Sequence, residues 1–223
     1  MITETPVLSC RALLFDMDGL MVDSEPLWYD IERAFARDRG GDWTPELARA
    51  CTGQGMANTL AVMHRELGFA VDGERDTALI VDTFIRRVAD LVLKPGFEEL
   101  FADCEAQRVP RALASSSPRR LVEAVVRRFG LGERFHAVVT GDHVAHPKPR
   151  PDIFLETARQ LGAKPEDCVV LEDSMAGVRA ARAAGMRVIA VPESHAESFL
   201  PLADAVVTDL HRARARLVFV PPG

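Results

Sequence analysis

The feature that most constrains this chain is a series of short apolar runs, each ending in small or polar residues. They are "ALLFDMD" (12–18), "RALASSS" (111–117), "AVVTGD" (137–142), "CVVLEDS" (168–174), "RVIAVPE" (187–193) and "DAVVTDL" (204–210). They are rich in Val, Leu, Ile and Ala without clean alternation, as strands buried on both faces should be. Helical segments separate them. "SPRRLVEAVVRRFG" places Ser117 as N-cap and Pro118 at the first helical position, and stops at Gly130. Two more run from Pro151 to Gly162 and from Ser174 to Gly185, each ending in a glycine. Strands alternating with helices predict an α/β chain, a parallel sheet with helices on both faces.

One interval breaks the alternation. From Ser24 to about Leu93 there are helix signals and no convincing strand, in "SEPLWYDIERAFARDRGG", "NTLAVMHRELG" and "ERDTALIVDTFIRRVADLV". "KPG" (94–96) reopens the alternating pattern. An all-helical insert directly after the first strand reads as a second, smaller domain. The expected division is a core of residues 1–22 and 95–223 and an inserted unit of residues 23–94.

Bulk properties exclude several classes. A length of 223 residues suits a medium domain plus a smaller one. The net charge of −6, with no long basic run, argues against a nucleic-acid binder. Cys10, Cys51, Cys104 and Cys168 follow no metal-type spacing and are expected to be reduced and structural. "MITETPVLSC" lacks the basic and apolar regions of a signal peptide, and no apolar stretch reaches the ~18 residues of a membrane span. The expectation is a monomeric cytoplasmic protein with no membrane partner.

In a parallel α/β sheet the carboxyl ends of the strands line the binding crevice. The first strand ends in Asp16 and Asp18, the second in Ser115 and Ser116, the next motif carries Lys148, and "LEDS" supplies Glu172, Asp173 and Ser174. Taken singly, each has an ordinary reading as a helix cap, a turn hydroxyl or a solvated loop lysine. Together they converge on one edge. Several carboxylates within a few ångströms need a divalent cation to stay ionised, and an all-oxygen set suits Mg²⁺. Ser115, the amides of Ser116 and Ser117 and the following helix N-terminus would cradle an anion, with Lys148 as a point charge. Metal, acids and cradle describe phosphoryl transfer on a small phosphorylated metabolite.

The motifs "FDMDGLMVDSEPLW" (15–28), "LASSSP" (113–118), "HPKPRPDIF" (146–154) and "VVLEDSMAGVRAARAAGM" (169–186) span nearly the whole chain. In that order they resemble the haloacid dehalogenase-type (HAD) superfamily, specifically the β-phosphoglucomutase-like enzymes and sugar-phosphate phosphatases that carry a helical cap. The resemblance implies a Rossmann-like core with an inserted cap. It implies Asp16 as nucleophile, Asp18 as general acid and base, and Ser115, Ser116 and Lys148 on the phosphoryl oxygens. Asp16, Asp18 (through its carbonyl) and Asp173 would hold Mg²⁺, with Glu172 a ligand or a partner behind the ligands. Asp23 would tie the cap hinge.

The same resemblance spans several reactions. Asp18 argues against a dehalogenase, which has no phosphate-ester leaving group to protonate. The stretch from Ser24 to Leu93 contains no lysine for the Schiff base of a phosphonate-cleaving enzyme. A hexose-phosphate mutase would grip a second phosphate with a cap histidine and basic residues flanking the cap glycine. Trp28 stands at the first position, and Thr52 and Met56 surround Gly53, so hydrolysis is the expected reaction. Trp28, Gly53 and Met56 are candidate substrate-selecting residues, with packing inside the cap as their other reading. A non-catalytic phosphate-binding or receiver-like protein is the alternative of a different class. Receiver domains are shorter and lack the insert.

Overall fold

The computed structural model describes residues 7–220. In chain order the core begins with β1 (Leu8–Cys10) and β2 (Ala12–Phe15). Four helices follow: α1 (Glu25–Arg37), α2 (Pro45–Cys51), α3 (Met56–Leu67) and α4 (Gly73–Arg86). The alternation then resumes with α5 (Phe97–Ala106), β3 (Arg111–Ser115), α6 (Arg119–Arg128), β4 (Ala137–Thr140) and α7 (Asp152–Leu161). It closes with β5 (Cys168–Glu172), α8 (Met175–Ala183), β6 (Arg187–Ala190), β7 (Ala205–Val206), α9 (Leu210–Arg214) and β8 (Leu217–Phe219).

Six strands form one parallel sheet in the order β4-β3-β2-β5-β6-β7. Helices cover both faces, and each strand's alternation sorts its side chains between them. From β2, Leu13 and Phe15 enter the layer with Phe97, Phe101, Leu121 and Val125, while Leu14 packs with Ile153, Phe154, Val178 and Ala181 on the other side. Phe15 meets Phe97 and Phe135 edge to face at 5.5 and 6.1 Å, geometries that aromatic quadrupoles favour. The chain leaves β2 toward β3 and β4, then crosses to β5 on β2's other side, so β2 lies at the point where strand order reverses. In such sheets that point opens a crevice beyond the carboxyl ends. Register aligns those ends: Phe15 pairs with both Leu113 and Leu171, which brings Ser115 and Glu172 to either side of the residues that follow β2.

The inserted helices are amphipathic. In α1, Leu27, Ile31, Phe35 and Ala36 are buried at helical spacing, and in α4 Ile80, Val81 and Phe84 are. Where the insert leaves and rejoins the core, Asp23 N–H donates to Val92 O at 3.0 Å and Lys94 reaches both Asp23 and Glu193. The four cysteines are free and buried. No helix among the described residues is long and apolar enough to cross a membrane. The first six residues of the N-terminal stretch read for a signal peptide lie outside the described residues.

The expectations missed some local detail. α2 is only seven residues, opened by Thr44, whose Oγ1 accepts Leu47 N–H at 3.4 Å, and it is too short to show a period. β1 and β8, three residues each, pair in parallel as a separate two-stranded ribbon. α6 starts at Arg119, one residue later than expected, and neither Ser24 nor Ser117 caps a helix with its side chain. Both hydroxyls turn toward Asp18 instead.

Candidate active site

The strand ends gather the expected residues in one place. Asp16 continues β2, its N–H donating to Leu171 O at 3.1 Å, and its carboxylate accepts a hydrogen bond from Lys148 Nζ. Lys148, buried beside the ring of Phe154, also donates to Glu172 Oε1 at 2.6 Å and Ala114 O at 3.3 Å. Lys148 is therefore an interior ammonium held between two acids, beside Asp16 as expected, and not the solvated loop residue of its ordinary reading. The His146–Pro147 pair before it leaves that placement intact, with His146 turned outward onto Asp152 at 2.8 Å. Both Glu172 oxygens are engaged, since Oε2 accepts from both N and Oγ of Ser174 at 2.9 Å. This arrangement requires Gly177, because a Cβ there would lie 1.7 Å from Glu172 Oε1.

Charge in this cluster is unbalanced. Asp16, Glu172 and Asp173 are buried, with Lys148 as the buried ammonium among them. Burial, opposed by Lys148 and reinforced by Glu172 and Asp18, pushes the Asp16 carboxyl up to about 8. Asp173 is raised well above the ordinary carboxylate range by burial, then by Glu172 and Asp16. Burial disfavours the Lys148 charge, but Asp16 and Glu172 outweigh it and raise its pKa. Uncompensated buried negative charge, presented by oxygens alone, is the environment a hard dication relieves. No three His, Cys, Asp or Glu side chains among the described residues make a closed cage. Mg²⁺ does not need one, since it keeps waters and shares substrate oxygens.

Asp18 sits differently. Its Oδ1 accepts from Ser24 Oγ at 2.8 Å and from Trp28 Nε1 at 2.9 Å, and its Oδ2 accepts from Ser117 Oγ at 2.8 Å. Three neutral donors from three segments fix this carboxyl two residues beyond Asp16. Ser115 Oγ accepts Ser117 N–H at 3.1 Å, so that amide is spent inside the turn rather than in an anion cradle. The N-terminus of α6 is likewise taken, Arg119 N–H donating to Asp142. What remains for an anion is the Ser115 hydroxyl hydrogen, Lys148 and Ser116, whose Oγ is buried without a hydrogen-bond partner. His143 closes the neighbouring loop by accepting Thr140 N–H at 2.9 Å.

Above these residues lies a cavity of about 880 Å³ between the strand ends and the inserted helices. Trp28 lines it, its ring tilted over Phe84 with centroids 4.3 Å apart, so its two readings are both realised: it packs in the cap and it faces the site. Gly53 and Met56 line it too. Gly53 has φ +76°, and a Cβ there would meet Ser174 Oγ at 2.5 Å, so the cap loop rests directly on the core. Met56 opens α3 and packs partly buried on the apolar core.

Sequence reasoning missed Glu32. It also lines the cavity, is only 7% exposed, and accepts one hydrogen bond on Oε2, from Trp43 Nε1 at 2.9 Å. Burial pushes its carboxyl up to about 7, with the Trp43 bond opposing and Glu25 reinforcing. The available signal was its spacing: Glu32 lies four residues after Trp28, on the buried face that Leu27, Ile31 and Phe35 define.

Residues 10–185 match the haloacid dehalogenase-like hydrolases. Hexitol phosphatase B of Escherichia coli K12 is 34% identical over 217 residues, covering 92% of this chain and 95% of that protein. The phosphorylated carbohydrates phosphatase of Thermotoga maritima is 35% identical over 178 residues, covering 79% and 82%. Among solved structures, CbbY from Rhodobacter sphaeroides in complex with phosphate superposes with a TM-score of 0.80 at 30% identity, covering 90% of this chain and 95% of that one.

Proposed function

The chain belongs to the haloacid dehalogenase-like hydrolases, and from that premise we propose that it is a Mg²⁺-dependent phosphatase of small sugar or polyol phosphates, working through an aspartyl-phosphate on Asp16. The observation that carries the reading is Asp16 held by the buried Lys148 at the cavity floor, with the triply bonded Asp18 two residues away.

An Asp16 oxygen attacks phosphorus as the bond to the leaving oxygen breaks, and that oxygen takes its proton from the Asp18 carboxyl. Asp18, now a carboxylate, takes a proton from water, which attacks the same phosphorus; the bond to Asp16 breaks and inorganic phosphate leaves. Lys148, Ser115 and Ser116 hold the phosphoryl oxygens, and Glu172 orients Lys148. Asp16, Asp173 and the Asp18 main-chain carbonyl would hold Mg²⁺, which when bound neutralises charge on the transferring group. The insert, residues 23–94, acts as a cap that excludes bulk water when seated.

Hydrolysis is favoured over transfer to a second phosphate site by the state of the cavity's cations. Lys148 serves the acids, and Arg49 is paired with Glu46 at 3.0 Å. The test is phosphate release from sugar, polyol and nucleotide monophosphates, with Mg²⁺ and with chelator. Metal-dependent release that Asp16→Asn abolishes is expected. Release that persists in the variant would overturn the assignment.

A further inference from the structure

A carboxyl as buried as Glu32, with a single protein hydrogen bond, needs an explanation. Desolvating a carboxylate is costly unless its oxygens are matched by donors. Trp43 Nε1 serves Oε2, and Trp43 is fully buried, so it holds the carboxyl in one orientation. Oε1 receives no hydrogen bond among the described residues, yet it is not one of the sealed, partnerless polar atoms of the interior; the side chain borders the cavity.

Its position along α1 says what that oxygen faces. Trp28 touches Asp18, the group that protonates the leaving oxygen in the reading above. Glu32 is one turn further along the same face, about 6 Å along the axis. It therefore overhangs the part of the substrate beyond the scissile oxygen. Glu25, Tyr29 and Thr59 complete this wall, which has two carboxyls and two hydroxyls. Burial, with Glu193 adding to it, also raises the pKa of Glu25. An uncharged polyhydroxy group would satisfy such a wall by donating to it, whereas a second phosphate or a carboxylate would bring acceptor oxygens that find no donor there and a charge that this buried wall cannot hydrate.

We propose that Glu32 is the specificity-determining residue of the cap: its cavity-facing oxygen accepts hydrogen bonds from leaving-group hydroxyls, so that the site takes monophosphates of uncharged polyhydroxy compounds and rejects bisphosphates. This rests on the phosphatase reading, and the experiment separates the two.

Phosphate release is measured for the wild type, Glu32→Gln and Glu32→Leu on a hexitol 6-phosphate, a hexose 1,6-bisphosphate and p-nitrophenyl phosphate, whose leaving group has no spare hydroxyl. Thermal melts establish that each variant is folded. Glu32→Gln keeps an acceptor for Trp43 and is the safer variant. It is expected to lower kcat/KM on hexitol phosphate roughly tenfold, chiefly through KM, with p-nitrophenyl phosphate changed less than about twofold. Glu32→Leu deepens the hexitol loss, and both variants narrow the discrimination against the bisphosphate. Equal losses on all three compounds, or none on the hexitol, would overturn the proposal. Should the wild type release no phosphate, the hydrolytic reading fails by itself. Glu32 is then judged by calorimetric affinity for hexitol phosphate in the Asp16→Asn background, where an unchanged Kd on adding Glu32→Gln sinks it and a weakened Kd sustains it.

Discussion

Trp28 Nε1 stands 2.9 Å from Asp18 Oδ1, joining a helix of the insert to the acid that follows the first central strand. The ring is held by Phe84 on α4, so this donor is rigid. Trp28→Phe keeps the apolar packing and deletes the bond. A single hydrogen bond to a charged group contributes about 1.5–3 kcal/mol. The variant should lose roughly 10- to 100-fold in kcat with little change in KM, read from steady-state phosphate release. A loss confined to KM would mean that Trp28 only contacts substrate.

Metal binding should be visible without catalysis. Because Asp16, Glu172 and Asp173 outnumber Lys148 in the buried cluster, Mg²⁺ should raise the melting temperature. At a hundredfold excess over Kd the linkage amounts to about 2.7 kcal/mol. Asp173→Asn should reduce the shift strongly and chelator should abolish it. An identical shift in that variant would place the cation elsewhere.

Glu32 gives a pH dependence of defined sign. Its folded value, up to about 7, lies above the ordinary value of 4.5, so the folded state binds the extra proton between those limits. Stability from this group is therefore fully present below about pH 4.5 and is lost as pH rises through about 7, by at most about 3 kcal/mol. Urea titrations across this range should show Glu32→Gln gaining on the wild type as pH increases. Parallel curves would refute the assignment.

Gly177 tests the clamp behind the site. Gly177→Ala would drive a Cβ into Glu172, which holds Lys148 at 2.6 Å and Ser174 at 2.9 Å. Breaking a buried ion pair in this way costs about 3–5 kcal/mol. A melt lowered by several degrees, together with lost turnover, is expected. Wild-type behaviour in both would show that the helix can shift to make room.

Much of this was legible in the sequence because runs such as "CVVLEDS" carry both their strand and its chemistry. Parallel pairing then carried Asp16, Ser115 and Glu172 to one edge without any side-chain detail. What stayed hidden depended on contacts between distant segments. Ser24 and Ser117 have the local pattern of helix caps, and nothing local reveals that Asp18 draws both hydroxyls away. Glu32 looks like a surface acid until Trp43 closes over it. Gly53 reads as a candidate substrate-selecting residue, and nothing local shows that Ser174 leaves no space for a side chain there.

The three donors to Asp18 belong to different bodies: Ser117 to the core, Ser24 to the crossing between core and insert, and Trp28 to the insert itself. The acid is thus wired like a switch that needs two keys. Were the insert to lift, as the proposed function has it, Asp18 would lose its indole partner while Ser24 and Ser117 still held one oxygen each. On the proposed mechanism, water entering an open crevice would meet an acid short of one partner, and turnover would be reserved for a guest that the insert encloses.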